Sequence, residues 1–231
     1  RPLLAAILQQ PPAAWDADGD GRWAGYVPDS HFTFDAEGFD RDPAGGHTGW
    51  RAYAYYPFPS THWPTNGSFV DALIRLPEAF RTKGRQFDLA TYRTNLAILE
   101  ALIKRRDVAI QETDETVFGV DLDKDGRLGR TTRIAFDWAP TEGRTMSYVG
   151  DAHLLQQQGK IHLAAGLFPE GTEFLSTLRY LDVTAGGRVR LAPRMKEVRY
   201  LRKRKWLTYA ELETLAMNEI KEKNDFLHAV K

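Results

Sequence analysis

Cysteine is absent from all 231 residues, which excludes disulfides, thiolate metal sites, thiol nucleophiles and covalent c-type haem attachment within the chain. Long apolar runs are missing too: the segment from Leu3 to Leu8 is followed by Pro11 and Pro12, far short of the ~20 residues that span a bilayer. Charge of one sign is not in excess, since 31 Lys and Arg balance 31 Asp and Glu. A balanced chain has no whole-molecule attraction to nucleic acid or to a membrane surface. The sequence also lacks a nucleophile elbow, a phosphate loop, a dinucleotide fingerprint and an HExxH pair, so the common enzyme signatures are not there.

What is present is a repeated acidic turn. Asp16-Ala-Asp18-Gly-Asp20-Gly21-Arg22 and Asp121-Leu-Asp123-Lys-Asp125-Gly126-Arg127 share one pattern. Three carboxylates on alternate residues converge only if the chain curls around a point, and the following glycine supplies the sharp turn. Without a cation such a cluster repels itself. Oxygen donors with no nearby His or Cys favour a hard ion, so the sequence predicts two calcium sites, held by Asp16, Asp18, Asp20 and by Asp121, Asp123, Asp125. Arg22 and Arg127 stand at the seventh position, which contributes a backbone carbonyl.

The loops resemble those of EF-hand, dockerin-like and thrombospondin-type calcium repeats. They depart from the EF-hand pattern at the twelfth position, where Val27 and Thr132 replace the bidentate acid. Structural staples are therefore expected rather than switches. Candidates for the missing oxygens are Asp29, Asp35 or Glu37 for the first loop, and Asp114, Glu115 or Asp137 for the second.

With 42% hydrophobic residues the chain can bury a core. Residues 1–70 hold 13 of the 27 aromatic residues, among many Gly, Pro and Asp. They read as a loop-rich segment tied by aromatic packing and an ion, joined to an α+β core over residues 71–231. Within that core Leu89, Tyr92, Leu96, Leu99 and Ile103 recur at helical spacing, with Asp88 placed as a cap and Lys104, Arg105 and Arg106 at the far end. This is the long central helix. Residues 68–76 and 77–80 read as short helical turns. Residues 116–120, 132–138, 146–149, 172–183 and 189–191 are rich in β-branched and aromatic types and read as strands of a mostly antiparallel sheet. Thr208 to Glu211 is a capping box that opens a C-terminal helix, expected to pack on the sheet.

Other constellations weigh less. Trp50, Tyr53, Tyr55 and Trp63 form an aromatic platform for sugar if exposed, and core if buried. An acid pair of glycosidase type has candidates in Asp35, Glu37, Asp40, Glu78, Glu112 and Glu115. His31, His47 and His62 are not at metal-ligand spacing. The basic run from Arg188 to Lys205 suits an acidic partner or an anionic group better than nucleic acid, given the balanced total.

Short phrases, Gly49-Trp-Arg-Ala-Tyr-Ala-Tyr-Tyr-Pro-Phe58, Trp63-Pro-Thr-Asn-Gly-Ser68, Ile74-Arg-Leu-Pro77, Gly171-Thr-Glu-Phe174 and Arg179-Tyr-Leu-Asp182, resemble portions of secreted bacterial proteins related to multihaem c-type cytochromes. That resemblance implies a haem-free partner within an electron-transfer assembly. Together these observations predict a calcium-stabilised, non-enzymatic periplasmic or extracellular module that binds a protein partner, such as a c-type cytochrome. The alternative is a calcium-dependent polysaccharide-binding protein or hydrolase. Calcium loops of ordinary affinity fill where calcium is abundant, and a first residue of Arg rather than Met suits a processed or partial polypeptide.

Overall fold

A computed structural model describes residue 32 and residues 34–52, 70–183 and 186–226. These residues form an α+β structure with mostly antiparallel strand pairing, divided into two compact units. One unit comprises the described residues of Arg1–Arg75 and Phe174–Leu201, and the other those of Leu76–Glu173 and Arg202–Lys231. The first Asp loop, with Asp16, Asp18, Asp20 and Arg22, lies outside the described residues, as do Asp29, His31, Tyr53, Tyr55, His62 and Trp63.

The first unit is built on a five-stranded sheet in the order β1-β2-β3-β8-β9, with β1 at Phe39–Arg41, β2 at His47–Ala52, β3 at Val70–Arg75, β8 at Glu173–Val183 and β9 at Val189–Arg202. Asp35 starts it: its carboxylate accepts the N–H groups of Glu37 and Phe39 and a guanidinium N–H of Arg41. Burial alone would raise the Asp35 pKa, but these donors together hold it below the usual carboxylate range. Asp42 closes the β1–β2 turn by accepting Gly46 N–H at 2.8 Å. Residues 39–52 thus form paired strands where the sequence suggested loops, because these two Asp turns set a register that the aromatic content concealed. Phe39, Leu73 and Ile74 are buried. Trp50 is buried too, 9% exposed, with the Arg75 guanidinium 4.5 Å above its ring. Residues 70–75 are strand rather than helix, since β-branched Val70 and Ile74 suit an extended segment pairing with β2.

The second unit surrounds α1, Leu89–Lys104. Asp88 caps it by accepting Thr91 N–H at 2.7 Å, and its buried face carries Tyr92, Leu96, Ile98, Leu99 and Leu102. Asn95, fully buried, donates from Nδ2 to the carbonyls of Phe80 and Val149 and accepts Val149 N–H at 2.8 Å. The Gln156 side chain accepts Tyr148 N–H at 2.9 Å and donates to Met146 O at 3.0 Å, so two amides, Asn95 and Gln156, hold residues 146–149 in place. Those residues pair with side chains, which is why the strand expected there does not form. The next residue must be glycine. Gly150 has φ 65°, and a Cβ there would lie 2.5 Å from Thr91 Cγ2 and 2.6 Å from Thr82 O.

Helix α2, Asp151–Gln157, begins immediately afterwards. Its Asp151 accepts the N–H groups of Gly84 and Arg85, each at 2.8 Å, and so clamps the turn between β4, Thr82–Lys83, and β5, Gln86–Phe87. Helix α3, Tyr209–Asp225, opens with the expected capping box between Thr208 and Glu211. None of its residues is buried, so the packed apolar face expected of it is not observed. No helix among the described residues is long and apolar enough to cross a membrane.

Candidate metal centre

The second acidic turn joins β6, Val108–Asp114, to β7, Arg130–Ile134. These strands pair antiparallel, with Thr113 opposite Thr131 and Asp114 opposite Arg130. The residues expected to start the first strand, from Thr116, instead belong to a 3-10 turn at Glu115–Val117. Asp114 is the reason. Its carboxylate accepts Thr116 N–H and the Thr116 hydroxyl, which caps that turn and lowers the Asp114 pKa.

Glu115 then points inward. It is 1% exposed, and its carboxylate accepts three backbone N–H groups: Leu122 and Asp123 on Oε1, and Gly129 on Oε2 at 2.9 Å. Its own N–H donates to Gly129 O at 2.8 Å. Glu115 is therefore the brace that folds residues 121–129 back onto the strand ends. Val120 and Leu122 are buried and anchor the loop from below, while Leu122 O accepts Ala135 N–H at 2.9 Å. Arg133 ties the far side by donating to Asp123 O at 3.2 Å and pairing with Asp107 at 2.9 Å.

Inside the loop the acids organise the chain that bears them. Asp121 Oδ2 accepts Gly126 N–H at 2.9 Å, Asp123 Oδ1 accepts Asp125 N–H at 3.2 Å, and Asp125 Oδ1 accepts Arg127 N–H at 2.8 Å. Lys124 and Gly126 take positive φ, 61° and 85°, which is the curl that the spacing predicts. Carboxylate oxygens of Glu115, Asp121 and Asp123 converge, all within 4.8 Å of one another. Asp121 Oδ1 is buried and has no hydrogen-bond partner.

Three negative groups this close, with one oxygen unsatisfied, are the donor set of a hard cation. Each carboxylate offers about four acceptor sites, so Glu115, holding three N–H groups, keeps one in reserve. Asp125 is not part of the convergent group. Of the candidates for the missing oxygen, the structure brings in Glu115, whereas Asp114 caps its own turn and Asp137 pairs with Arg144. In the other unit Asp35 is committed to the turn before β1. The brace was the residue hardest to identify in sequence, because nothing in a Glu-Thr-Val stretch signals a buried acid; its only signal was proximity to the loop.

A model of a lipoprotein family, described as “-like lipoprotein”, matches residues 7–226. The chain belongs to this lipoprotein family. A relative named “Uncharacterized lipoprotein”, from Aquifex aeolicus (strain VF5), is 37% identical over 193 residues, covering 83% of this chain and 28% of the relative. The chain therefore spans little more than a quarter of that relative's length. No solved structure matches. Membership fits an envelope-attached or secreted protein.

These findings correct the resemblances read from sequence. The family is a lipoprotein one, and no EF-hand, dockerin or cytochrome-related family is found. The physical reason is plain at the described loop. It bridges two strands, not two helices, and Thr132, at the twelfth position, lies in β7. Alternating Asp with Gly is a local solution to curling a chain, so it arises in unrelated folds. The short aromatic and Pro-rich phrases are equally local, and the cytochrome partner, which rested on them, has no support. The sugar platform loses Trp50, whose ring lies buried beneath Arg75.

Proposed function

We propose that this chain is a non-catalytic binding module of a periplasmic or extracellular lipoprotein, stapled by calcium at the β6–β7 loop. One observation carries the reading: the oxygens of Glu115, Asp121 and Asp123 meet within 4.8 Å, and the buried Asp121 Oδ1 lacks any partner. A cation at that point would neutralise the three acids and satisfy the orphan oxygen. Asp121 and Asp123 would contribute directly, Glu115 through its spare acceptor site, and Arg127 through its backbone carbonyl. The first loop, with Asp16, Asp18, Asp20 and Arg22, supports a second site on its spacing alone. A structural role fits better than a switch, because the acids are already held by backbone donors and no helix exits the loop to be moved.

The candidate glycosidase acids argue for binding rather than hydrolysis. In one unit Asp35 serves a turn and the buried Asp40 accepts the Thr48 hydroxyl at 2.6 Å. In the other, Glu112 pairs with Arg130 on the surface and Glu115 braces the loop. Each of these four acids already serves the fold.

Calorimetric titration of calcium into the chelator-stripped chain tests the reading. With few carboxylates per site, affinity is expected in the range of extracellular modules, about 10⁻⁴ to 10⁻³ M. Asp121→Asn is expected to remove one binding event and leave the other. Absence of both heat and thermal stabilisation in about 5 mM calcium overturns it.

A further inference from the structure

The second unit carries a small polar recess that none of the roles above uses. It is a solvent-open hollow of about 230 Å³, lined by Phe80, Lys160, His162, Pro169, Glu170 and Trp206 among others. We propose that this recess binds a single neutral sugar ring. The proposal takes the non-catalytic binding reading as its frame, and does not depend on the cation.

Both walls are built rather than incidental. On one side α2 ends in a glycine turn, with Gly159 at φ 70°. Gly159 N–H donates to Gln156 O and Lys160 N–H to Leu155 O, each at 2.9 Å. That stop holds residues 160–162 in place. On the other side the fully buried Thr172 closes the turn from Pro169, its hydroxyl donating to Pro169 O at 2.7 Å. The backbone of Lys203 pairs both ways with this turn, from Gly171 N–H at 2.8 Å and to Thr172 O at 2.9 Å. The Lys203 ammonium donates to Phe168 O. Trp206, three residues on, lines the recess with Pro169 and Glu170, and Tyr209 anchors the segment beyond it through Ala165 O at 3.1 Å.

The contents of the recess select the ligand. Trp206 and His162 are stacked, ring centres 4.9 Å apart at 28°, with His162 exposed. The C–H face of a sugar ring carries slight positive charge and packs on such a negative π surface. Lys160 supplies only donors and Glu170, when ionised, only acceptors, whereas a hydroxyl is both, so neighbouring sugar hydroxyls satisfy the two together. The volume falls below the ~300 to 1,000 Å³ of sites for drug-sized ligands, which limits the occupant to one ring at the end or edge of a glycan.

The test uses the full chain, isotopically labelled, in chelator, so that its outcome is separate from that of the calcium site. Methyl glycosides of glucose, galactose, mannose and N-acetylglucosamine are titrated to about 50 mM, since a ligand of a dozen heavy atoms reaches millimolar affinity. At least one is expected to shift the Trp206 indole and His162 imidazole resonances saturably. Lys160→Ala, a change at an exposed position, is expected to weaken that binding about fivefold with the rest of the spectrum unchanged. Glu170→Gln is expected to weaken it in the same direction. The proposal is overturned if no glycoside gives saturable shifts at these two residues, if Lys160→Ala and Glu170→Gln leave binding unchanged, or if glycine binds there and no sugar does.

Discussion

Replacing Glu115 by alanine separates a brace from a surface acid. The side chain is 1% exposed and accepts N–H groups from Leu122, Asp123 and Gly129. The Asp123 contact, at 3.3 Å, is long and contributes least. Truncation leaves the Leu122 and Gly129 donors without their acceptor, at about 1–3 kcal/mol each. It also opens a cavity under the loop that water can partly refill. The expected loss is about 3–5 kcal/mol, a large part of the ~5–15 kcal/mol that holds a domain together. Glu115→Gln keeps one carbonyl for Leu122 but turns its NH₂ toward the other donor, so about 1–3 kcal/mol should be lost. Urea unfolding in chelator measures both, and the same experiment in calcium adds the linkage contribution that cation binding makes. A loss below about 1 kcal/mol for Glu115→Ala would mean that the loop closes without its brace, and the account of the site fails.

Three further outcomes follow from the same geometry. Asn95→Ala strips the buried carbonyls of Phe80 and Val149 and the Val149 N–H of their partner, and should cost about 3–4 kcal/mol in urea unfolding; retention of the native midpoint refutes it. Asp151 has its pKa lowered: burial raises it, but the Thr82 hydroxyl and the Arg85 and Gly84 N–H groups outweigh this. A depressed carboxylate stabilises the fold fully above its ordinary value, 3.8, and the gain is lost as pH falls through the lower folded value. The stability gap between the native chain and Asp151→Asn should therefore be flat above about pH 5 and close in stronger acid, and a gap independent of pH down to about 2 refutes the clamp. Thr208→Ala removes the capping box of α3, a change of about 1 kcal/mol to that helix. Because no residue of α3 is buried, far-UV helicity should fall while the main unfolding midpoint stays put; a matched fall in both means that α3 is part of the cooperative core.

What could be read from residues alone was whatever depends on neighbours in the chain. The period of Leu89 through Ile103 with its Asp88 cap, the box at Thr208 and Glu211, and the curl of Asp121 to Gly126 are all set within a few residues by helix pitch, capping and positive φ. Local propensity misplaced segments wherever a group from elsewhere, or a cap, intervened. Residues 146–149 form no strand because the Asn95 and Gln156 side chains take their backbone groups, residues 70–75 are strand because β2 supplies a partner, and residues 115–117 turn because Asp114 caps them. Tertiary structure alone decided that Trp50 lies beneath Arg75, that Glu115 is buried under the loop, and that Trp206 and His162 face one recess. Burial and the pairing of polar groups depend on which segments meet in space, whereas propensity and spacing act only along the chain.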